Sequence, residues 1–202
     1  PDYILPATSH ILQSKLGIPG EAFTVDINQG CCGYIYALFI AALLVSSGCC
    51  NSVLAMVGDT ISKLTGPKDR SVRALMGDCG SATIIEKGDK SISFCFSGDG
   101  SRYRSLIVPA GGSRNPYSPE SSSPSCGENG NWRSGTDLYM DGLEIMKFAL
   151  NDVVEFVAAT LEEQKIPREK IGLYVFHQAN RFIVETLAKL LGLPLGNVPV
   201  EV

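Results

Sequence analysis

What this sequence lacks narrows the reading first. No C-x-x-C pair occurs anywhere in its 202 residues, so the usual spacing of a structural zinc site is missing and no metal is expected. The seven cysteines make no disulfide framework either. Their number is odd, four of them fall in the adjacent pairs Cys31-Cys32 and Cys49-Cys50, and no secretory signal opens the chain. A reducing, cytoplasmic location is the expectation. Large charge excess is absent as well: a net charge of −4 argues against a general nucleic-acid binder. No apolar run reaches the roughly 20 residues that a spanning helix needs. The longest candidate, Gly30 to Val45, ends at Ser46-Ser47-Gly48 and reads as a helix apolar all round, buried inside a protein. Histidine is scarce, with only His10 and His177.

What is present is ordinary globular material, 45% apolar and 19% charged, in one large domain or two small ones. The organising stretch is Thr24-Val-Asp-Ile-Asn-Gln-Gly-Cys-Cys-Gly-Tyr-Ile-Tyr-Ala-Leu38. A β-prone run, Ala22 to Ile27, passes through Asn28-Gln29-Gly30 and opens into a long apolar helix beginning near Cys31. A thiol at such a junction meets helix N–H groups that have no intrahelical partner, and the positive end of the helix dipole favours its thiolate. The plain alternative is that Cys31 and Cys32 are two small hydrophobes in a buried helix.

Taken in order, residues 6–16 predict a short helix from Pro6 to Gly17, and Pro19-Gly20 a turn. The strand to Ile27, the helix to Ser47 and an apolar strand, Val53 to Val57, buried on both faces, predict a βαβ unit and a partly parallel sheet. Further strands are expected at Ala82 to Glu86, at Ser91 to Phe96 as its hairpin partner, and at Ser105 to Val108. Residues 110–136, rich in Gly, Ser, Pro and Asn, predict a long, mobile surface loop. From Asp137 to about Gln164 apolar residues recur at helical spacing. A strand at Ile171 to Phe176 then delivers His177-Gln-Ala-Asn180 to a helix running from Arg181 to Leu191, and Val198 to Val202 opens one more strand.

His10 reads as a solvated or capping residue. His177 mirrors Cys31, at a strand end where a helix starts, and ligands in open α/β sheets bind beyond the carboxyl ends of strands. A cysteine and a histidine from two such ends make a nucleophile and its partner; a structural histidine bonding a loop is the alternative, and the residues alone leave both open.

In order along the chain, Asp26 to Leu38, Asp69-Arg70 with Gly77-Asp78, Ser97-Gly-Asp-Gly-Ser101 with Leu106 to Pro109, Tyr139-Met-Asp-Gly142 and His177-Gln-Ala-Asn180 resemble the motifs of the β-ketoacyl-acyl carrier protein synthase III family of condensing enzymes. The resemblance implies an α/β, thiolase-like layered α-β-α-β-α fold, here an incomplete copy lacking the start of the first half and the end of the second. It divides the chain into 1–109, the remainder of the N-terminal half; 110–136, the surface loop; and 137–202, the start of the C-terminal half. Both ends, Pro1 and Val202, read as cut.

The same resemblance implies the chemistry. Cys31 would take an acyl group from acyl-coenzyme A, and His177 would hold enolate charge during decarboxylation of malonyl-acyl carrier protein, giving a 3-oxoacyl carrier protein. Arg70 would pack on the adenine end of coenzyme A and Asn180 would line the pantetheine channel. Gln178, Ala179, Asn180, Arg181 and Phe182 would meet the acidic carrier protein, and Leu5 would shape the acyl pocket of a partner across a homodimer interface. No cofactor is implied beyond these substrates, and neither nucleic acid nor membrane as a partner.

Departures from the family pattern are specific. Phe182 stands where a basic residue is common, Leu5 where an aromatic is common, and Met76, Cys79 and Ser81 replace the usual Phe, Gly and Gly/Ala. The family's third catalytic residue, an asparagine after the next strand, and the glycine-rich oxyanion loop beyond it have no counterpart in the 202 residues. Alternatives are a condensing enzyme of specialised lipid, polyketide or polysaccharide synthesis on the same fold, a non-catalytic fragment or scaffold partner that keeps the fold, and a Cys/His hydrolase.

Overall fold

The computed structural model describes residues 3–127 and 130–202. The chain forms two compact units, Pro1–Val57 with Gly80–Ile92, and Gly58–Cys79 with Ser93–Val202.

In the first unit lie helices α1 (Thr8–Lys15) and α2 (Gly33–Ser46) and strand β1 (Ser52–Asp59), whose last two residues belong to the second unit; β1 pairs with β2 (Cys79–Glu86). Both helices end as their glycines predict. Gly48 takes a φ of 78°, which lets its N–H reach Val45 O (3.2 Å) and the Cys49 N–H reach Leu44 O (3.1 Å), so two orphan carbonyls are satisfied at once. Gly17 closes α1 in the same way, through Ser14 O and Gln13 O.

Three expectations for this unit need correction. The run Ala22 to Ile27 forms no ladder and so makes no βαβ unit: composition supplies β propensity, but a strand exists only where a neighbour takes its hydrogen bonds. Nor is α2 a buried helix, since only Ala41 and Val45 are buried while Ile35 and Leu43 stay about half exposed (47% and 51%). A helix apolar on every side needs neighbours on every side, and this one has them over part of its circumference. β1 is likewise one-sided. Ala55 is buried but Leu54 and Met56 are exposed, because residues one apart on a strand point to opposite faces.

The second unit has its own core. Its elements are β3 (Leu106–Ile107), α3 (Pro119–Ser122), β4 (Ser125–Cys126), β5 (Trp132–Arg133), β6 (Tyr139–Met140), α4 (Gly142–Lys147), α5 (Val153–Glu163) and α6 (Arg181–Leu190). β3 pairs antiparallel with β6, setting Leu106 opposite Met140, and β4 pairs antiparallel with β5, setting Cys126 opposite Trp132. Residues 110–136, expected as a surface loop, thus hold a short helix and a hairpin; Glu128 and Asn129 lie outside the described residues. A π-helical turn, Phe148–Asp152, joins α4 to α5 and makes the long helix expected from Asp137 onward, with an extra residue accommodated in its middle.

The segments 91–96, 171–176 and 198–202, expected as strands, run without a strand ladder. Two of them nevertheless shape the core. Tyr174, Val198, Leu193 and Leu191 cluster with Val184 and Ala188 of α6, and Val154, Val157, Ala158 and Leu161 of α5 pack against them. The α6 face is dictated by sequence: Ile183, Val184, Leu187 and Ala188 fall on one stripe and are all buried. Tyr174 is buried while Leu173 and Val175 are exposed, so 171–176 has the alternation of a strand with a core on one side only. A backbone hydrogen bond from the Tyr174 N–H to Asn197 O, at 2.8 Å, ties it to the residues that follow α6.

Candidate active site

Cys31 stands immediately before α2, of which Cys32 is the N-cap residue. The approach is anchored from a distance. The Asp26 carboxylate accepts hydrogen bonds from Thr8 N (2.7 Å) and Ser9 N (2.8 Å), capping the start of α1, and the Thr24 hydroxyl lies 3.3 Å from the His10 ring. The capping side chain at this end of α1 is therefore that of Asp26, with His10 bonded to Thr24. Burial pushes the Asp26 carboxyl up, but the hydrogen bonds from Ser9 and Thr8 outweigh it and hold the group below its usual value. The turn into the helix is closed by the Gly33 N–H on Gly30 O, at 2.8 Å.

The start of α2 differs from those of α1, α3, α4 and α6; α5, which continues from the π turn, has no side-chain cap either but carries Glu155 in its first turn. α1 is capped by Asp26, α3 by Ser118, α4 by Asp141 and α6 by Asn180. α2 has neither a side-chain cap nor an acidic residue in its first turn, so no carboxylate offsets the positive end of its dipole. The residue placed there is a solvent-exposed thiol, Cys31. Cys32 is exposed too, and its thiol is 3.8 Å from Gln29 Oε1. The helix dipole favours an anion at this position, and thiolate is the nucleophilic form of cysteine.

The remaining site residues expected from sequence, except Leu5, lie in the second unit. Leu5 belongs to the first and is 83% exposed. Arg70 is exposed and sits on a built turn: its N–H donates to Asn131 Oδ1 (3.0 Å), while Asp69, with no exposed side-chain surface, accepts from Ser71 N (2.9 Å) and pairs with Arg133 Nε (3.1 Å). The Arg133 guanidinium in turn lies over the Tyr139 ring, at 5.0 Å. Gly66 is required beneath this turn, since a Cβ there would stand 2.9 Å from Trp132 O. In the Asp69-Arg70 pair, then, the aspartate is the anchor and the arginine is the group presented to solvent. Asp78 has a similar structural task, binding the backbone N–H (2.8 Å) and hydroxyl (2.6 Å) of Ser62, and the Ser62 hydroxyl hydrogen bond is the main cause of its lowered pKa. Asp99 accepts from Ser101 and pairs with Arg102, which also grips Asp152 of the π turn through both terminal nitrogens (3.1 and 2.9 Å).

His177 is exposed, at the end of the 171–176 segment. Its neighbours are committed to the protein. Ala179 N–H donates back to His177 O (3.0 Å), and Asn180 Oδ1 accepts from Ile183 N (2.9 Å) as the N-cap of α6. The Gln178 amide bridges two backbone segments, donating to Phe176 O (3.0 Å) and Pro199 O (3.2 Å) and accepting from Glu201 N (2.8 Å). Of residues 178–182, the exposed ones are Arg181 and Phe182, the latter 59% exposed. Sequence reasoning assigned ligand contacts to Gln178 and Asn180 and missed their structural tasks. For Asn180 the signal was available, because asparagine at the start of an amphipathic helix is a preferred N-cap. Among the described residues no group of three or more His, Cys, Asp or Glu side chains is placed to hold a metal, and no helix is long and apolar enough to cross a membrane.

Comparison with known proteins follows the same lines. Residues 25–100 match the family described as 3-Oxoacyl-[acyl-carrier-protein (ACP)] synthase III. A beta-ketoacyl-[acyl-carrier-protein] synthase III of Caldanaerobacter subterraneus is 34% identical over 204 aligned positions, covering 100% of this chain and 59% of that protein. A crystal structure of a 3-oxoacyl-(acyl-carrier-protein) synthase III superposes with a TM-score of 0.94 at 41% identity, covering 99% of this chain and 60% of the other. The 3-oxoacyl-(acyl-carrier protein) synthase of Burkholderia xenovorans gives 0.86 at 39% identity, covering 100% and 56%. The chain spans somewhat more than half the length of these relatives. Its fold is the thiolase-like α/β fold, matched to part of those larger chains. By motif order, sequence and fold, the chain belongs to the β-ketoacyl-acyl carrier protein synthase III family of condensing enzymes.

Proposed function

We propose that this chain carries the nucleophile and the histidine of a 3-oxoacyl-acyl carrier protein synthase III. Residues 1–109 are the remainder of its first half and 137–202 the start of its second. The observation that carries the reading is the exposed Cys31 immediately before α2, a helix start with neither a side-chain cap nor an acidic first turn, within a chain of this family.

The Cys31 thiolate attacks the carbonyl carbon of an acyl-coenzyme A. The carbon–sulfur bond to coenzyme A breaks, the coenzyme leaves as its thiolate, and the acyl group stays on Cys31 as a thioester. Backbone N–H groups at the start of α2 suit the oxyanion that forms in this step. Malonyl-acyl carrier protein then loses carbon dioxide, and the electron pair left behind is held as an enolate on its thioester oxygen. A neutral His177 imidazole N–H donates a hydrogen bond to that oxygen. The enolate carbon attacks the Cys31 thioester, Cys31 is released as thiolate, and the product is a 3-oxoacyl carrier protein. Coenzyme A and carrier protein enter as substrates, with no resident cofactor.

Arg70, solvent-exposed on its anchored turn, stacks on the adenine of coenzyme A, a task that suits a planar guanidinium. Asn180 has a free amide group toward the pantetheine arm once its oxygen has capped α6. Arg181 and Phe182, exposed beside His177, form the part of residues 178–182 that meets the acidic carrier protein. Leu5 reaches the acyl pocket of a second copy in a homodimer. Mixing the protein with acetyl-coenzyme A and malonyl-carrier protein tests the reading. An acetoacetyl-carrier protein product supports it, whereas free acetate without condensation would reassign the site to hydrolysis.

A further inference from the structure

The Gln178 side chain makes three hydrogen bonds, each to a backbone group outside its own peptide units. Both amide hydrogens are donated, to Phe176 O and Pro199 O, and the oxygen accepts from Glu201 N. Those partners fix the orientation of the carboxamide, because the flipped amide would set its oxygen against two carbonyl oxygens. Gln178 is half-buried, and around it the two segments run without a strand ladder. The side chain therefore stands in for the missing ladder hydrogen bonds, tying 176–178 to 199–201. Asn197 makes the matching tie at the other end, Nδ2 to Ile171 O at 3.1 Å.

His177 lies inside this clamp. The carbonyl of the residue before it is held by Gln178 Nε2, its own carbonyl by the Ala179 N–H, and the chain three residues later is locked as the cap of α6. The imidazole itself is exposed, and the backbone it hangs from sets where its Cα–Cβ bond stands. We propose that Gln178 is a positioning residue for His177: its carboxamide fixes the backbone at 176–178 against 199–201 and so fixes the Cα–Cβ bond from which the imidazole reaches. This deepens the proposed function and rests on it for the role of His177. It also gives Gln178 a task inside the protein in place of one on the carrier-docking surface, since both its amide hydrogens are donated internally.

No other side chain does this work. Glutamate keeps the length and the acceptor but sets a carboxylate against two carbonyls, methionine keeps only the shape, and asparagine is one methylene short. A displacement of about 1 Å in a catalytic group costs on the order of 100-fold in rate. The test uses Gln178→Met and Gln178→Glu. Expected is a fall of roughly 100-fold in kcat for malonyl-carrier decarboxylation with the carrier KM unchanged. Alongside it, the His177 ring cross-peak should move in a nitrogen–proton spectrum, where His10 is the one other histidine. Glu201→Pro keeps Gln178 but deletes the N–H that it accepts. It should shift the same cross-peak in the same direction and lower kcat by a smaller factor, which guards against a Gln178 variant that fails to fold. A raised carrier KM at unchanged kcat, or a His177 cross-peak that stays in place in both folded variants, overturns the proposal. Should the unaltered protein neither take an acetyl group on Cys31 nor decarboxylate the malonyl donor, the functional reading falls, and the cross-peak alone decides the clamp.

Discussion

The approaches to Cys31 and to His177 solve one problem in two ways. Each is an irregular segment that leads a candidate reactive side chain to the start of a helix without a strand ladder to hold it. Ahead of Cys31 the hold is ionic: the Asp26 carboxylate grips two N–H groups of α1 from an exposed position. Beside His177 it is neutral: the Gln178 carboxamide bridges backbone groups next to a packed core. The helices that follow differ too. α6 is amphipathic, side-chain capped and buried along one stripe, whereas α2 is apolar on all sides, lacks a side-chain cap and buries two residues. A cap on α2 would offset the charge that favours an anion at Cys31, while a cap on α6 only steadies the helix that follows His177. In the proposed function, stability and reactivity are thus placed at different helix starts.

The largest expected effects separate the two reactive residues. Cys31→Ala should remove the acyl acceptor altogether, whereas His177→Ala should still give an acyl-Cys31 adduct yet slow condensation by about 10²–10³-fold. Product and adduct assays on the two variants read this directly; equal loss of both steps in both variants would break the assignment of one step to each residue. Next in size is the contrast between helices. Leu187→Ala, in the buried face of α6, should cost about 2–5 kcal/mol in denaturant unfolding, and Leu43→Ala, on the exposed side of α2, no more than about 0.5 kcal/mol. Comparable costs would show that α2 is covered on that side in solution.

Smaller again is Asn180→Ala, which should cost about 1 kcal/mol through the lost cap of α6, read in the same unfolding experiment. The smallest effect sharpens the ionic-against-neutral contrast. The Asp26 pKa lies below its unfolded value, so its contribution is complete above the unfolded carboxylate value and is lost as the pH falls through the folded one. Hydrogen exchange at Thr8 and Ser9 should therefore lose protection on acidification and lose that dependence in Asp26→Asn, while protection at Glu201, held by an amide that does not titrate, stays level through the same range.

Much of this was legible in the chain, for reasons that particular residues show. Gly48 and Gly192 marked helix ends because only a residue at ease with positive φ closes a helix that way; Lys165, at φ 51°, does the same without any such mark. The α6 stripe was readable from spacing, and the order of the motifs pointed to the family. The strands at 22–27, 171–176 and 198–202 were misread because β propensity is local and a ladder is not. Asp26 and Gln178 were hidden for a related reason. Apart from Phe176 O, their partners lie 17 to 23 residues away, so the side chain was in view while the group it holds was not. Asp69 was seen as half of a motif, but its burial against Arg133 depends on a hairpin that composition presented as a loop.

The most direct test of the central claim is the intact mass of the protein after mixing with acetyl-coenzyme A, followed by peptide mapping. One added acetyl group is expected, placed on Cys31, absent from Cys31→Ala and retained in Cys32→Ala. An adduct on Cys32, or no adduct while Cys31 still reacts with a small alkylating reagent, would contradict it.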